Sequence, residues 1–244
     1  MMSHRRLTQL FEHASQYTPY LKGYDKRPDH GVGIHIAQNN TAVIQPLYHD
    51  IKSGAPEAGS AYWLTRTWDL LCWQPLALSL IAIHELKALP DVQHVHQWVH
   101  TSLISGFYFE SAQFEQGSVP ILIQKAGQQL QILFEAYRSE MDQWVRIRPG
   151  FTRHLWADNL LNGLLRLQKT QLDFGSEQWM EYAKLWLDAC QLPQKYLDNI
   201  TLTSQRNELQ LTRTSCCLVY QCAGREMCTN CPRQRNKNSL LAAS

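Results

Sequence analysis

The sequence lacks a long apolar run. Its greasiest stretch, Leu76 to Ile83, is far short of the roughly 20 residues a membrane-spanning helix needs. Met1 to Tyr20 carries Arg5, Arg6 and Glu12 among many polar residues, so no secretory leader is read there. Charge is also sparse. Asp, Glu, Lys and Arg make up 18% of the 244 residues and the formal net charge is +2, too near neutral to argue for nucleic acid as a partner. Glycine signatures are missing as well. Gly31-Val-Gly33 has no third glycine, no P-loop occurs, and His84-Glu85 lacks the second histidine of a zinc-peptidase helix. With no nicotinamide or flavin site to read, any electrons handled by this chain are expected from a separate donor. The expected compartment is the cytoplasm, where thiols stay reduced.

What is present is apolar enough for a proper core, at 44% hydrophobic residues. The pattern predicts a short amphipathic helix over 5–17. A hairpin is expected from 31–36 and 41–45 around Asn39-Asn40, then a loop at Gly54, Pro56 and Gly59. A helix from Ala61 is divided or kinked by Pro75, and a second apolar helix ends at Pro90. One or two strands are expected in 91–110. A long helix follows Ser118 and Pro120 and stops at Pro149-Gly150, with further helices over about 152–170 and 176–191. Beyond Pro193, Glu208 to Arg213 alternates and Cys216 to Tyr220 continues as an apolar, extended run. The fold class is thus α+β, a predominantly helical body with a small β element and a cysteine-rich C-terminal loop. The division is 1–192 for the body, with docking functions, and 193–244 for the cysteine segment.

Several residues invite chemistry but read more simply as structure. His94, His96 and His100 share a segment, but no carboxylate or cysteine completes the set, so they are expected as surface residues of a strand. Cys72 and Cys190 fall on apolar helix faces and are expected in the core. Most of the eight tryptophans belong there too, while Trp98, Phe107 and Tyr108 are candidates to line a cleft.

The remaining five of seven cysteines gather near the end: Cys216-Cys217, Cys222, and Cys228-Thr-Asn-Cys231. Thiolates are soft ligands that select zinc, copper(I) or iron–sulfur clusters. Cys228 and Cys231 form a zinc-type knuckle; Cys216 and Cys217 do not. Adjacent residues on an extended segment point apart, which suits a wider two-iron centre better than one ion. Zinc stays open on spacing alone. The surroundings are cationic, with Arg213, Arg225, Arg233, Arg235 and Lys237 against Glu226.

The C-C-x10-C-x2-C arrangement, with Arg213 before it and Tyr220 within it, resembles the terminal signature of the FhuF-like ferric-siderophore reductases. The resemblance implies a [2Fe–2S] cluster held by Cys216, Cys217, Cys228 and Cys231, with Cys222 outside the signature. It implies one-electron reduction of a ferric siderophore, of hydroxamate type, with release of Fe(II) in the cytoplasm. No catalytic residue beyond the cluster is called for. The partners would be the ferric siderophore and a ferredoxin-like electron donor, and Arg213, Arg225 and Arg233 are candidates to dock either. The alternatives are a zinc-stapled adaptor and an iron–sulfur sensor; the absence of a basic recognition helix weighs against the sensor.

Overall fold

The computed structural model describes residues 2–29, 31–170, 175–203 and 208–234. Arg235 and Lys237 lie outside them. The protein is α+β and mainly helical. The described residues form six helices, α1 (Met2–Tyr17), α2 (Thr41–Gly54), α3 (Gly59–Leu86), α4 (Val119–Asp142), α5 (Pro149–Thr170) and α6 (Ser176–Ala189); α1, α2, α4 and α5 pack around the apolar α3, and α6 lies against α4 and α5. The central part of α3 is hidden almost all round, with Leu71, Leu78, Ile81 and Ile83 fully buried. Such a helix belongs in the middle of a bundle. Among the described residues, no helix is long and apolar enough to cross a membrane.

The strands β1 (Gly23–Tyr24), β2 (Val32–Ile34), β4 (His96–His100) and β5 (Leu103–Tyr108) form a sheet of order β1-β5-β4-β2. The β1–β5 pair is parallel and the other pairs are antiparallel. Two short ladders accompany it: β3 (Ala88–Pro90) with β6 (Phe114–Gln116), and β7 (Ile200–Leu202) with β8 (Leu209–Leu211). The β7–β8 ladder delivers the chain from the helical body to the cysteines.

Pro75 does not divide α3. A proline removes the N–H that would bond the carbonyl four residues earlier, here that of Leu71. Gln97, fully buried on β4, fills the gap: its Nε2 donates to Leu71 O at 2.9 Å and to Tyr137 Oη at 2.9 Å. A side chain from the sheet thus completes the helix ladder, and α3 runs unbroken.

The expected hairpin is also absent. Residues 41–45 open α2, and β2 pairs with β4 instead. Asn39 and Asn40 act as helix-start residues rather than as a strand turn. Asn39 Oδ1 accepts the N–H of Thr41 at 2.9 Å, while Asn40 bonds both backbone groups of His35. Likewise, Pro149 and Gly150 begin α5 rather than ending α4, which stops at Asp142. That suits proline, whose missing N–H is no loss in a first turn. Strands β4 and β5 appear as expected in 91–110. Cys72 and Cys190 are buried, and burial pushes both thiols up.

His94 and His100 are exposed as expected, and His96 departs from expectation. His96 is buried and stacks on His35 at 3.9 Å, and its Nε2 meets Glu110 at 3.0 Å. His94 pairs with Asp91 at 2.8 Å. Carboxylates therefore do join this group, brought by the turn of the chain. Desolvation holds both His35 and His96 below their usual range. Phe107 and Trp98 are buried too.

Candidate metal centre

The cysteine segment leaves β8 at Leu211 and is fastened to the body before the first thiol. Asp158, 2% exposed on α5, accepts the N–H of Thr214 and the N–H of Ser215, each at 2.7 Å. Arg213 lies beside it, Nε to Asp158 Oδ2 at 3.8 Å, and its backbone N–H donates to Asn230 O at 2.9 Å. Farther on, the N–H of Ala223 donates to Glu57 at 2.8 Å. That bond holds the Glu57 carboxyl below the usual carboxylate range. Burial holds Asp158 above that range despite its two N–H donors.

The segment from Cys216 to Tyr220 is not extended. Leu218 adopts a left-handed conformation (φ 60°), and a 3-10 turn follows over Val219–Gln221. A positive φ at a leucine is costly, and here it reverses the chain directly after the adjacent thiols. The knuckle is a tight turn in which Cys231 N–H donates to Cys228 O at 3.0 Å and Gln234 Nε2 to the same carbonyl at 2.8 Å.

Folding brings the four signature thiols together as two pairs. Cys216 Sγ lies 3.6 Å from Cys231 Sγ, and Cys217 Sγ lies 3.3 Å from Cys228 Sγ. Each pair takes one member from the adjacent cysteines and one from the knuckle. Tetrahedral coordination with bonds of about 2.3 Å places two sulfurs on one metal about 3.7 Å apart. Both separations are close to that. Among the described residues, no three or more His, Cys, Asp or Glu side chains close on one ion-sized point. Each pair thus has the spacing of two thiolates on one metal. Burial, and after it the neighbouring thiols, push Cys216 up and push Cys228 up to about 11. A metal here must therefore displace protons.

The second element of fit is Arg213. Its Nε and Nη2 are buried without a hydrogen bond among the described residues. It lines a cavity of about 580 Å³ together with Cys217 and Cys228. A thiolate-ligated cluster is anionic and its sulfurs accept hydrogen bonds. The thiols and the orphaned donors both suit such a group.

The same cavity holds Tyr62 and Arg66 of α3, Arg225 and Cys222. Burial and the Cys222 thiol, to which it hydrogen-bonds, push the Tyr62 hydroxyl up to about 12. Of the three arginines expected at the surface, Arg225 is exposed on this cavity. Arg213 is part-buried in its wall, and Arg233 sits over the Tyr220 ring at 5.2 Å, outside it. Sequence reasoning missed Asp158, Glu57, Tyr62 and Arg66. Asp158 carried a readable signal: a lone acid in the apolar stripe Leu155, Leu161, Leu165 of α5 is rarely buried without a partner.

Two thiol pairs at the edge of a helical body are soft donors of the kind that iron–sulfur clusters take. Residues 213–233 match the family model of the FhuF 2Fe-2S C-terminal domain, and a [2Fe–2S] cluster is the cofactor this domain carries. No solved structure matches the chain.

Proposed function

We propose that this protein reduces a ferric siderophore by one electron, with Cys216, Cys217, Cys228 and Cys231 holding the cluster and Fe(II) released in the cytoplasm. The observation that carries the reading is the position of Cys217 and Cys228 in the wall of an open, arginine-lined cavity of about 580 Å³. When bound, a [2Fe–2S] cluster supplies single electrons and needs no proton-transfer residue. Siderophores of hydroxamate type hold iron through hard oxygens, which favour Fe(III) over Fe(II). One electron therefore loosens the complex and lets other ligands take the metal. Arg66, Arg213 and Arg225 place positive charge where an anionic complex or an acidic ferredoxin-like donor would approach. In this reading 193–244 forms the redox segment and 1–192 the docking body. The paired thiols favour it over a zinc-stapled adaptor.

The test is anaerobic visible and EPR spectroscopy of the reduced protein, followed by addition of a ferric hydroxamate. Reoxidation with stoichiometric appearance of Fe(II) is expected. Stoichiometric zinc without acid-labile sulfide would overturn the proposal.

A further inference from the structure

A second cavity, of about 520 Å³, opens on the same face of α3. It shares Arg66 and Asp69 with the thiol cavity. Along α3, Tyr62, Arg66, Asp69, Trp73, Ala77 and Leu80 recur at intervals of three and four residues, which places them on one stripe. Tyr62 belongs to the thiol cavity, Trp73, Ala77 and Leu80 to the second, and Arg66 and Asp69 to both. From Arg66 to Leu80 the stripe runs about 21 Å. The two cavities therefore adjoin along one face of α3, with Arg66 and Asp69 as their common wall and Cys217 and Cys228 at the first of them.

The compartments differ in chemistry. The thiol end is polar, with Glu57, Arg66, Arg213 and Arg225. The far end is floored by Leu76, Ala77, Leu80 and Leu103, with Tyr17 and Trp73 as aromatic walls. Gly163 of α5 closes it against α3: a Cβ there would stand 2.8 Å from Leu80 Cδ1. Arg166 marks the far rim; its Nη2 donates to Tyr17 O, and its guanidinium lies 4.2 Å over the Tyr17 ring. Asp69, between the compartments, is engaged by Asn159, whose Nδ2 donates to its Oδ1 at 3.0 Å. A volume of this size, with an apolar floor and polar groups placed on its walls, is that of a small-molecule site.

We infer that the second compartment binds the organic arm of the substrate, and that the arm is apolar and ends in an acidic group. The inference rests on the reading of the thiol cavity as the place where chelated iron docks. The chelate head lies over the thiols, the arm follows α3 past Trp73, and its acidic end meets Arg166. Arm binding fixes the head beside the cysteines and discriminates among chelates that present the same iron coordination.

The experiment uses the cluster-loaded full chain and linear trihydroxamates loaded with redox-inert Ga(III). Three forms are compared by titration calorimetry: one without an arm, one with an acyl arm ending in carboxylate, and one with the same arm ending in amide. The carboxylate form is expected to bind at least tenfold tighter than the armless one. Asn162→Trp, at an exposed position on the groove wall, is expected to abolish that advantage and leave armless binding unchanged. Arg166→Gln is expected to weaken the carboxylate form to the level of the amide form. Equal affinity of all three chelates for the unaltered protein overturns the inference, as does an equal loss for all three in Asn162→Trp. The ferric versions separate the two readings. Arm-dependent binding without reduction sinks the reductase proposal and leaves the groove assignment standing. Reduction with arm-independent binding does the reverse.

Discussion

The carboxylate of Asp158 accepts the backbone N–H of Ser215 at 2.7 Å, one residue before Cys216. Its other oxygen accepts the N–H of Thr214 at the same distance. A buried acid on α5 therefore sets the direction in which the two adjacent thiols leave the body. Asp158→Asn replaces one acceptor oxygen by a donor facing an N–H. Leaving that group unpaired is expected to cost about 1–3 kcal/mol. Chemical denaturation should show this loss, and the visible absorbance should bleach several-fold faster under a chelator. Unchanged bleaching would mean that the loop holds its shape without the clamp.

The thiol pairing predicts which cysteines matter. Cys228→Ser and Cys216→Ser each break one pair, and both are expected to abolish cluster incorporation, read as iron and acid-labile sulfide per chain. Cys72→Ser lies in the core and should leave both values unchanged at a modest cost in stability. Cys222→Ser removes the thiol bonded to Tyr62 and is expected to retain the cluster. Loss of iron in Cys222→Ser equal to that in Cys228→Ser would redraw the ligand set.

Gln97 and Pro75 should behave as a coupled pair. Gln97→Leu leaves the Leu71 carbonyl and the Tyr137 hydroxyl without the amide, and is expected to destabilise by about 1–3 kcal/mol. In a Pro75→Ala background the restored N–H bonds Leu71 again, so the same substitution should cost less. A double-mutant cycle by denaturation measures the coupling. Strict additivity would show that the amide does not serve that carbonyl.

His84 gives an acid limb to stability. It is 2% exposed, Trp186 Nε1 donates to its Nε2 at 3.0 Å, and burial lowers its pKa from 6.5 to about 3. The unfolded chain binds the proton more readily, so the His84 contribution is complete above about pH 6.5. It falls by about 1.4 kcal/mol per pH unit as the pH drops toward the folded value. His84→Gln keeps an acceptor for Trp186 and should flatten this slope. An unchanged profile between pH 6.5 and 4 would assign the acid limb to other groups.

The cysteine motif was legible because its chemistry is local: the adjacent pair and the knuckle sit within sixteen residues. The helices were legible where an apolar stripe ran long, as in α4, α5 and α6. Pro75 was misread because its remedy, Gln97, comes from another element. Asn39-Asn40 was misread because strand turns and helix starts use the same residue type. His96 looked like a surface residue because Glu110 reaches it only once β4 and β5 pair. Glu57 and Arg66 were invisible as site residues, and Asp158 was legible only as a buried acid in want of a partner. Each is far from the cysteines in sequence and meets them only in the folded chain.

Those remote anchors also order events in time. The chain emerges N-terminus first, so α3 and α5 are complete before any of the five terminal cysteines leaves the ribosome. Glu57 and Asp158 can already be in place when Ala223 and Ser215 arrive. The thiols are then drawn into their pairs on a finished surface, which favours late delivery of iron and sulfide to a folded acceptor over capture by a nascent chain.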